Sequence, residues 1–225
     1  LAESPVFQRD QEKRGASRMP VLQVLREHPK LIFLAAGSFV ATNATFYISS
    51  VWLVSYATTQ LYYERSTILG ANTLLSASDI PMILLLGLLS DKVGRRPLFL
   101  AGMGLLALFS VPYFLLVQTS VVGLFILGGL VVQACRSAVY GPQSAYFSEL
   151  FPTHLRYSGA SFAYAVGAVL GGGFAPLVAQ ALIGATGTSL SVSVYMVIVC
   201  LITLAAVLAL REGTAAEREA FVVGT

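Results

Sequence analysis

Charge is scarce in this chain. Of its 225 residues only 11% are Asp, Glu, Lys or Arg, where a soluble globular domain carries about a quarter. With 56% hydrophobic residues and a mean hydropathy of +0.76, that scarcity excludes a water-soluble globular domain and points to an integral membrane protein. Cysteine is nearly missing as well. Cys135 and Cys200 both fall inside apolar runs, where a small hydrophobe is the ordinary role, and they offer neither a disulfide framework nor a zinc spacing. The two histidines, His28 and His154, fall at the membrane edge, where solvation is the expected role. Nucleophile triads, phosphate-cradling glycine loops and clustered metal ligands are also missing, so no enzyme activity, metal, cofactor or nucleic-acid partner is expected. The first thirty residues hold Glu3, Arg9, Asp10, Glu12, Lys13, Arg14 and Arg18 with no apolar block behind a basic start, so no secretory signal is expected.

What the chain has in abundance is long apolar runs. Six of them, 31–58, 66–90, 97–117, 120–143, 156–182 and 188–210, reach the roughly 20 helical residues that cross a bilayer core. In lipid every backbone polar group needs an internal partner, so runs of this length must be helices. The fold expected is an all-α bundle of six transmembrane helices over residues 30–210, between a polar lead-in (1–29) and a charged tail (211–225). Residues 19–28 within the lead-in read either as a short interfacial helix or as a plain linker. With both termini inside, twelve of the 14 cations fall on the inner side, Arg65 alone outside and Arg136 within a span. The positive-inside rule therefore puts both termini in the cytoplasm.

Three polar residues sit deep in these spans. Asp79 precedes the inner-side Asp91 by twelve residues, about 18 Å of helix; Arg136 precedes Glu149 by thirteen, about 20 Å, or less if Gly141-Pro142 breaks the helix. Asn43 lies at a similar depth in the first span. All three are near the midplane of a core about 30 Å thick. Each extends into a polar stripe: Gln133, Arg136, Tyr140 and Gln143 on the fourth span, Asn72, Ser76 and Asp79 on the second, Asn43, Tyr47 and Ser50 on the first. A charge at the bilayer centre costs about 3 kcal/mol on insertion scales and commonly marks a substrate or proton path. Two readings stay open for Arg136 and Asp79: a structural ion pair with each other, or separate roles towards substrate and proton. The neutral residues Asn43, Gln133 and Gln143 serve a cavity or only bond between helices. Gly167, Gly171, Gly172, Gly173 and Pro176 in the fifth span allow close helix approach, or an interruption of the helix beside a substrate.

Residues 87–96, Gly-Leu-Leu-Ser-Asp-Lys-Val-Gly-Arg-Arg, form the connection between the second and third runs. Gly87 and Gly94 permit packing and a turn, Asp91 offers a carboxylate for a neighbouring helix N-terminus, and Arg95 and Arg96 can pair with Glu149, with Arg156 joining the network. This decapeptide resembles the G-x-L-x-D-x-x-G-R-R signature of the major facilitator superfamily. The stretch Tyr140-Gly-Pro-Gln-Ser-Ala-Tyr-Phe-Ser-Glu-Leu-Phe-Pro-Thr-His-Leu-Arg-Tyr-Ser-Gly-Ala is similar to the region after helix 10 in that superfamily's metabolite:proton symporter family, and Glu3-Ser-Pro-Val-Phe resembles the segment after helix 6.

The resemblance implies helices 7 to 12 of a twelve-helix transporter, with residues 1–29 as its central cytoplasmic loop and the N-terminal six-helix half missing. It implies that Asp91 docks against helix 5 of that half, that helices 7, 8, 10 and 11 wall a central cavity, and that the membrane is the bacterial inner membrane. The implied activity is proton-coupled symport of a small organic solute, often a carboxylate, by alternating access; a non-transporting membrane fragment is the alternative. Arg136, with Asn43, Tyr47, Gln133 and Tyr140 around it, is then the expected substrate site, and Asp79 the proton carrier. Those roles for Arg136 and Asp79 rest on depth and charge, not on any family motif. Gly87, Asp91, Gly94, Arg95, Arg96, Glu149 and Arg156 form the expected gate.

Overall fold

The computed structural model describes residues 25–26, 29–151 and 156–210, and of residues 148 and 149 the backbone alone. Most of the expected interfacial helix (19–24 and 27–28), both histidines, the tail and the Glu149 side chain lie outside the described residues. Six helices are long and apolar enough to cross a membrane: α1 (Pro29–Thr59), α2 (Arg65–Val93), α3 (Arg95–Gln118), α4 (Val122–Leu150), α5 (Arg156–Thr186) and α6 (Leu190–Ala209). The shortest, α6 with 20 residues, is about 30 Å long at 1.5 Å per residue, enough for the hydrocarbon core. The protein is an integral membrane protein.

Several helices outrun their apolar runs. The connection expected at residues 87–96 is mostly helix: α2 continues to Val93, α3 begins at Arg95, and Gly94 alone makes the corner. Gly94 can do so because its φ of +101° is open to a residue without Cβ. The residues before it bring enough apolar surface (Leu88, Leu89, Val93) to extend the helix towards the end of the bundle. Likewise α4 runs through Gly141-Pro142 without interruption and ends at Leu150, not near 143. The ring of Pro142 removes one backbone donor, and the remaining ladder carries the helix on.

In space the neighbours run α2, α4, α3, α6, α1, α5, and α1 and α5 touch α4 again. Small residues set the approaches, as in bilayers generally, where packing has to replace the hydrophobic effect. A Cβ at Gly141 would lie 3.0 Å from the Gly87 nitrogen, so α4 and α2 meet backbone to backbone there. On the other side a Cβ at Gly171 of α5 would strike the Val40 carbonyl of α1. Between α6 and α1 the contact is polar. The Thr203 hydroxyl donates to the Gly37 carbonyl at 2.8 Å and accepts the Ala41 N–H at 3.2 Å, bridging the two ends of one helical turn.

Two π turns interrupt the long helices, Ile48–Trp52 in α1 and Val169–Gly173 in α5. Both sit at the α1–α5 contact: the first packs against the second half of α5, the second against the first half of α1. Of the two, only the α5 turn falls on the glycine cluster that the sequence marks. A π turn re-aims its carbonyls, and Asn72 of α2 donates to one of them, Ser50 O, at 3.4 Å. Helix α2 is otherwise the least covered, with Leu69, Leu74, Ile80, Leu84, Leu85 and Leu88 all exposed.

Candidate functional site

Where α2 crosses α4, the two intramembrane charges meet. Asp79 stands two residues before Pro81 of α2, and Arg136 one residue before Ser137 of α4. Arg136 Nη2 donates to Asp79 Oδ2 in an ion pair, and the Ser137 hydroxyl donates to Asp79 Oδ1 at 2.6 Å while also reaching the Gln133 carbonyl at 2.8 Å. Both carboxylate oxygens therefore have a donor, which is what lets a charge persist at this depth. The enclosure is uneven: Arg136 keeps 5% of its side-chain surface exposed, Asp79 15%. Arg136 Nε is buried without a hydrogen-bond partner. In a guanidinium, Nε–H and Nη2–H point side by side as a fork suited to one carboxylate. Here Asp79 takes one prong and leaves the other vacant.

Aromatic rings complete the surroundings of Arg136. Its guanidinium carbon lies 5.3 Å from the Phe46 ring centroid and 5.6 Å from that of Tyr140, within cation–π range of both. Tyr47 meets Phe46 edge-on with centroids 5.4 Å apart, and its ring lies against Gly172, where a Cβ would come within 2.7 Å of Cε2.

The other expected site residues divide. Gln133 and Gln143 are buried, and Gln143 turns towards α1, where Nε2 donates to Thr42 Oγ1 at 3.3 Å and reaches Ser38 O at 3.5 Å. Asn43 donates to its own helix at Phe39 O, 2.9 Å away, so the residue of α1 that approaches Arg136 is Phe46. At the basic end, Arg95 Nη2 is 3.6 Å from Asp91 Oδ1, and Arg96 Nη2 donates to the Leu208 carbonyl at the end of α6 at 3.1 Å. Arg156 opens α5 and is exposed. Ser137 and Phe46 are the two residues that sequence reasoning passes over. A serine in a helix satisfies itself on the preceding turn, and a phenylalanine in an apolar run carries no mark of a site.

A sequence model of the Major Facilitator Superfamily matches residues 34–223. The chain belongs to that superfamily. The six-helix bundle accordingly corresponds to half of the major facilitator fold. Similar proteins include the glycine betaine/proline/ectoine/pipecolic acid transporter of Dickeya dadantii (strain 3937), 28% identical over 94% of this chain and 44% of that protein. The putative proline/betaine transporter of Staphylococcus aureus (strain COL) is 31% identical over 96% of this chain and 47% of its own length. The proline/betaine transporter of Escherichia coli (strain K12) is 27% identical over 94% and 44%. The chain thus spans about half the length of the curated relatives it matches. That membership supports a role in membrane transport.

Proposed function

We propose that this facilitator chain is the C-terminal half of a proton-coupled symporter for small carboxylate-bearing solutes, of the kind its relatives' names describe. Its partner is an N-terminal six-helix half, in the bacterial inner membrane with both ends of this chain cytoplasmic. Arg136 binds the substrate carboxylate and Asp79 carries the proton. The single observation behind this reading is the half-used fork of Arg136. Protonating Asp79 removes its charge and frees Nη2, and the free fork of Nε and Nη2 then fits an incoming carboxylate. Substrate and proton thereby exchange for one internal contact, and the residual exposure of Asp79 gives the proton a route in. Asn43, Tyr47, Gln133 and Tyr140 shape the wall around that exchange. Gly87, Asp91, Gly94, Arg95 and Arg96, with Glu149 and Arg156, latch the two halves at the cytoplasmic end.

Uptake of labelled proline and glycine betaine by proteoliposomes of the assembled transporter tests this. Asp79→Asn should keep substrate exchange but lose accumulation driven by a pH gradient. Arg136→Ala should weaken substrate binding by about 10- to 150-fold, the worth of a charged hydrogen bond. Wild-type, proton-dependent uptake in both variants would remove both assignments. Absence of uptake in the wild-type assembly would favour a membrane fragment without transport activity.

A further inference from the structure

We infer that the converging faces of Phe46 and Tyr140, flanked by Tyr47 and Tyr164, form a seat for the methylated ammonium group of a zwitterionic substrate. This rests on the transport reading above, in which Arg136 takes the carboxylate end. The two central rings come from different helices, α1 and α4, yet their faces converge on one point, which the Arg136 guanidinium occupies at 5.3 and 5.6 Å while it pairs with Asp79 and vacates for the substrate cation when its fork turns to the substrate carboxylate. Two ring faces aimed at one cation are what recognition of an onium group requires.

The flanking tyrosines are held in place. Tyr47 packs edge-on to Phe46 and lies over Gly172 of α5, where any side chain would displace it. Tyr164 of α5 stands edge-on to Phe39 at 5.2 Å, within electrostatic range of the Tyr140 and Tyr47 phenols. Despite this order none of the four is sealed by its own bundle: Phe46, Tyr47, Tyr140 and Tyr164 are 40–43% exposed. They line α1, α4 and α5 beside the ion pair.

Charge bookkeeping selects the ligand class. Among the described side chains, and apart from Asp91 at the far end of α2, Asp79 is the one carboxylate inside the spans and the only one at the depth of Arg136. Once it holds the coupling proton, no described carboxylate is left there for a substrate cation, and Arg136 already faces the substrate's anionic end. The ring faces remain. They offer an onium group quadrupole attraction but few hydrogen-bond acceptors. A primary ammonium, strongly hydrated and with three N–H donors to satisfy, loses more on entering such a seat than a methylated one that spreads its charge over carbon.

The test is competition against labelled glycine betaine uptake in proteoliposomes of the assembled transporter. Unlabelled glycine betaine is compared with 3,3-dimethylbutanoate, which has the same shape and carboxylate but carbon in place of the charged nitrogen. The wild type should prefer the charged compound by about tenfold. Tyr140→Leu should raise the KM for glycine betaine about tenfold and leave the inhibition constant of 3,3-dimethylbutanoate unchanged, so that the gap closes. Tyr140→Phe, which keeps the face, should retain the gap. Equal competition in the wild type, or a gap that survives both Tyr140→Leu and Phe46→Leu, overturns the seat while leaving carboxylate transport intact. Loss of every carboxylate interaction in the wild type would instead sink the transport reading, and the seat with it.

Discussion

Gly171 and Gly173 belong to one π turn and face opposite fates on gaining a methyl group. At Gly171 a Cβ would strike the Val40 carbonyl and come within 2.9 and 3.0 Å of its carbon and Cα, all backbone atoms that cannot rotate away. Helices α1 and α5 would have to part at the contact that also holds Tyr47 over Gly172. At Gly173 the added Cβ meets nothing within 4 Å. Both substitutions gain the same helix propensity, up to about 1 kcal/mol. Only Gly171→Ala bears the cost of overpacking, about 1–3 kcal/mol. The melting temperatures of the two variants should therefore differ by roughly 2–4 °C for each kcal/mol of that cost. Cys135 and Cys200 supply the reporter: both thiols are free and buried, so a thiol-reactive fluorogenic dye reads unfolding in detergent without added labels. Gly173→Ala should melt at or slightly above the wild type, and Gly171→Ala clearly below it. Equal melting of the two alanine variants would refute the idea that close approach at Gly171 fixes the α1–α5 contact.

Two further substitutions probe the ends of the same scaffold. Ser137→Ala removes the donor to Asp79 Oδ1 and leaves that oxygen unpaired, a loss of about 1–3 kcal/mol in thermal stability; Ser137→Thr, which keeps the hydroxyl, should restore most of it. Tyr63, in the connection between α1 and α2, donates its phenol to the Val117 carbonyl at 3.2 Å, and burial raises its pKa above the ordinary 10.0. Because the folded state holds this proton more tightly than the unfolded chain, the stabilisation is complete below pH 10 and fades as the pH climbs through the raised value. The alkaline fall in melting temperature should be shallower in Tyr63→Phe.

The spans were legible because a bilayer imposes a length, and six runs of the right length leave little choice of fold. Their ends were less so. Residues 87–93 carry charge and glycine and read as a loop, yet the exposed Leu88 and Leu89 and the permissive Gly94 extend α2 to the corner. The π turn at Val169–Gly173 falls among the glycines that draw attention to that helix, whereas Ile48–Trp52 contains neither glycine nor proline. That second turn packs against the far half of α5, a partner more than a hundred residues away that no local pattern announces. That Asp79 and Arg136 lie at one level followed from depth alone, since helical rise converts sequence separation into height; their pairing was one of two readings that the sequence leaves open. Which neighbours join them did not follow. Asn43 has the right height but bonds its own helix, and rotation about the helix axis brings Phe46 to the guanidinium instead.

The two readings of the ion pair, structural and functional, differ in what they ask of the remaining atoms. A pair kept only for stability should be closed, because every buried donor left unpaired costs about 1–3 kcal/mol and replacing the whole pair by apolar side chains would often be as stable. Here the carboxylate is fully served, by Arg136 and Ser137, while the guanidinium is not: Nε has no partner and two ring faces stand over it with much of their surface open. The incompleteness is therefore on one partner. On the proposed reading, an arrangement that satisfies the acid and leaves the base short moves in one direction only, with the acid neutralised and the base handed to another anion. That polarity, rather than the presence of two charges at mid-membrane, is the strongest argument that Arg136 meets a carboxylate from outside the chain.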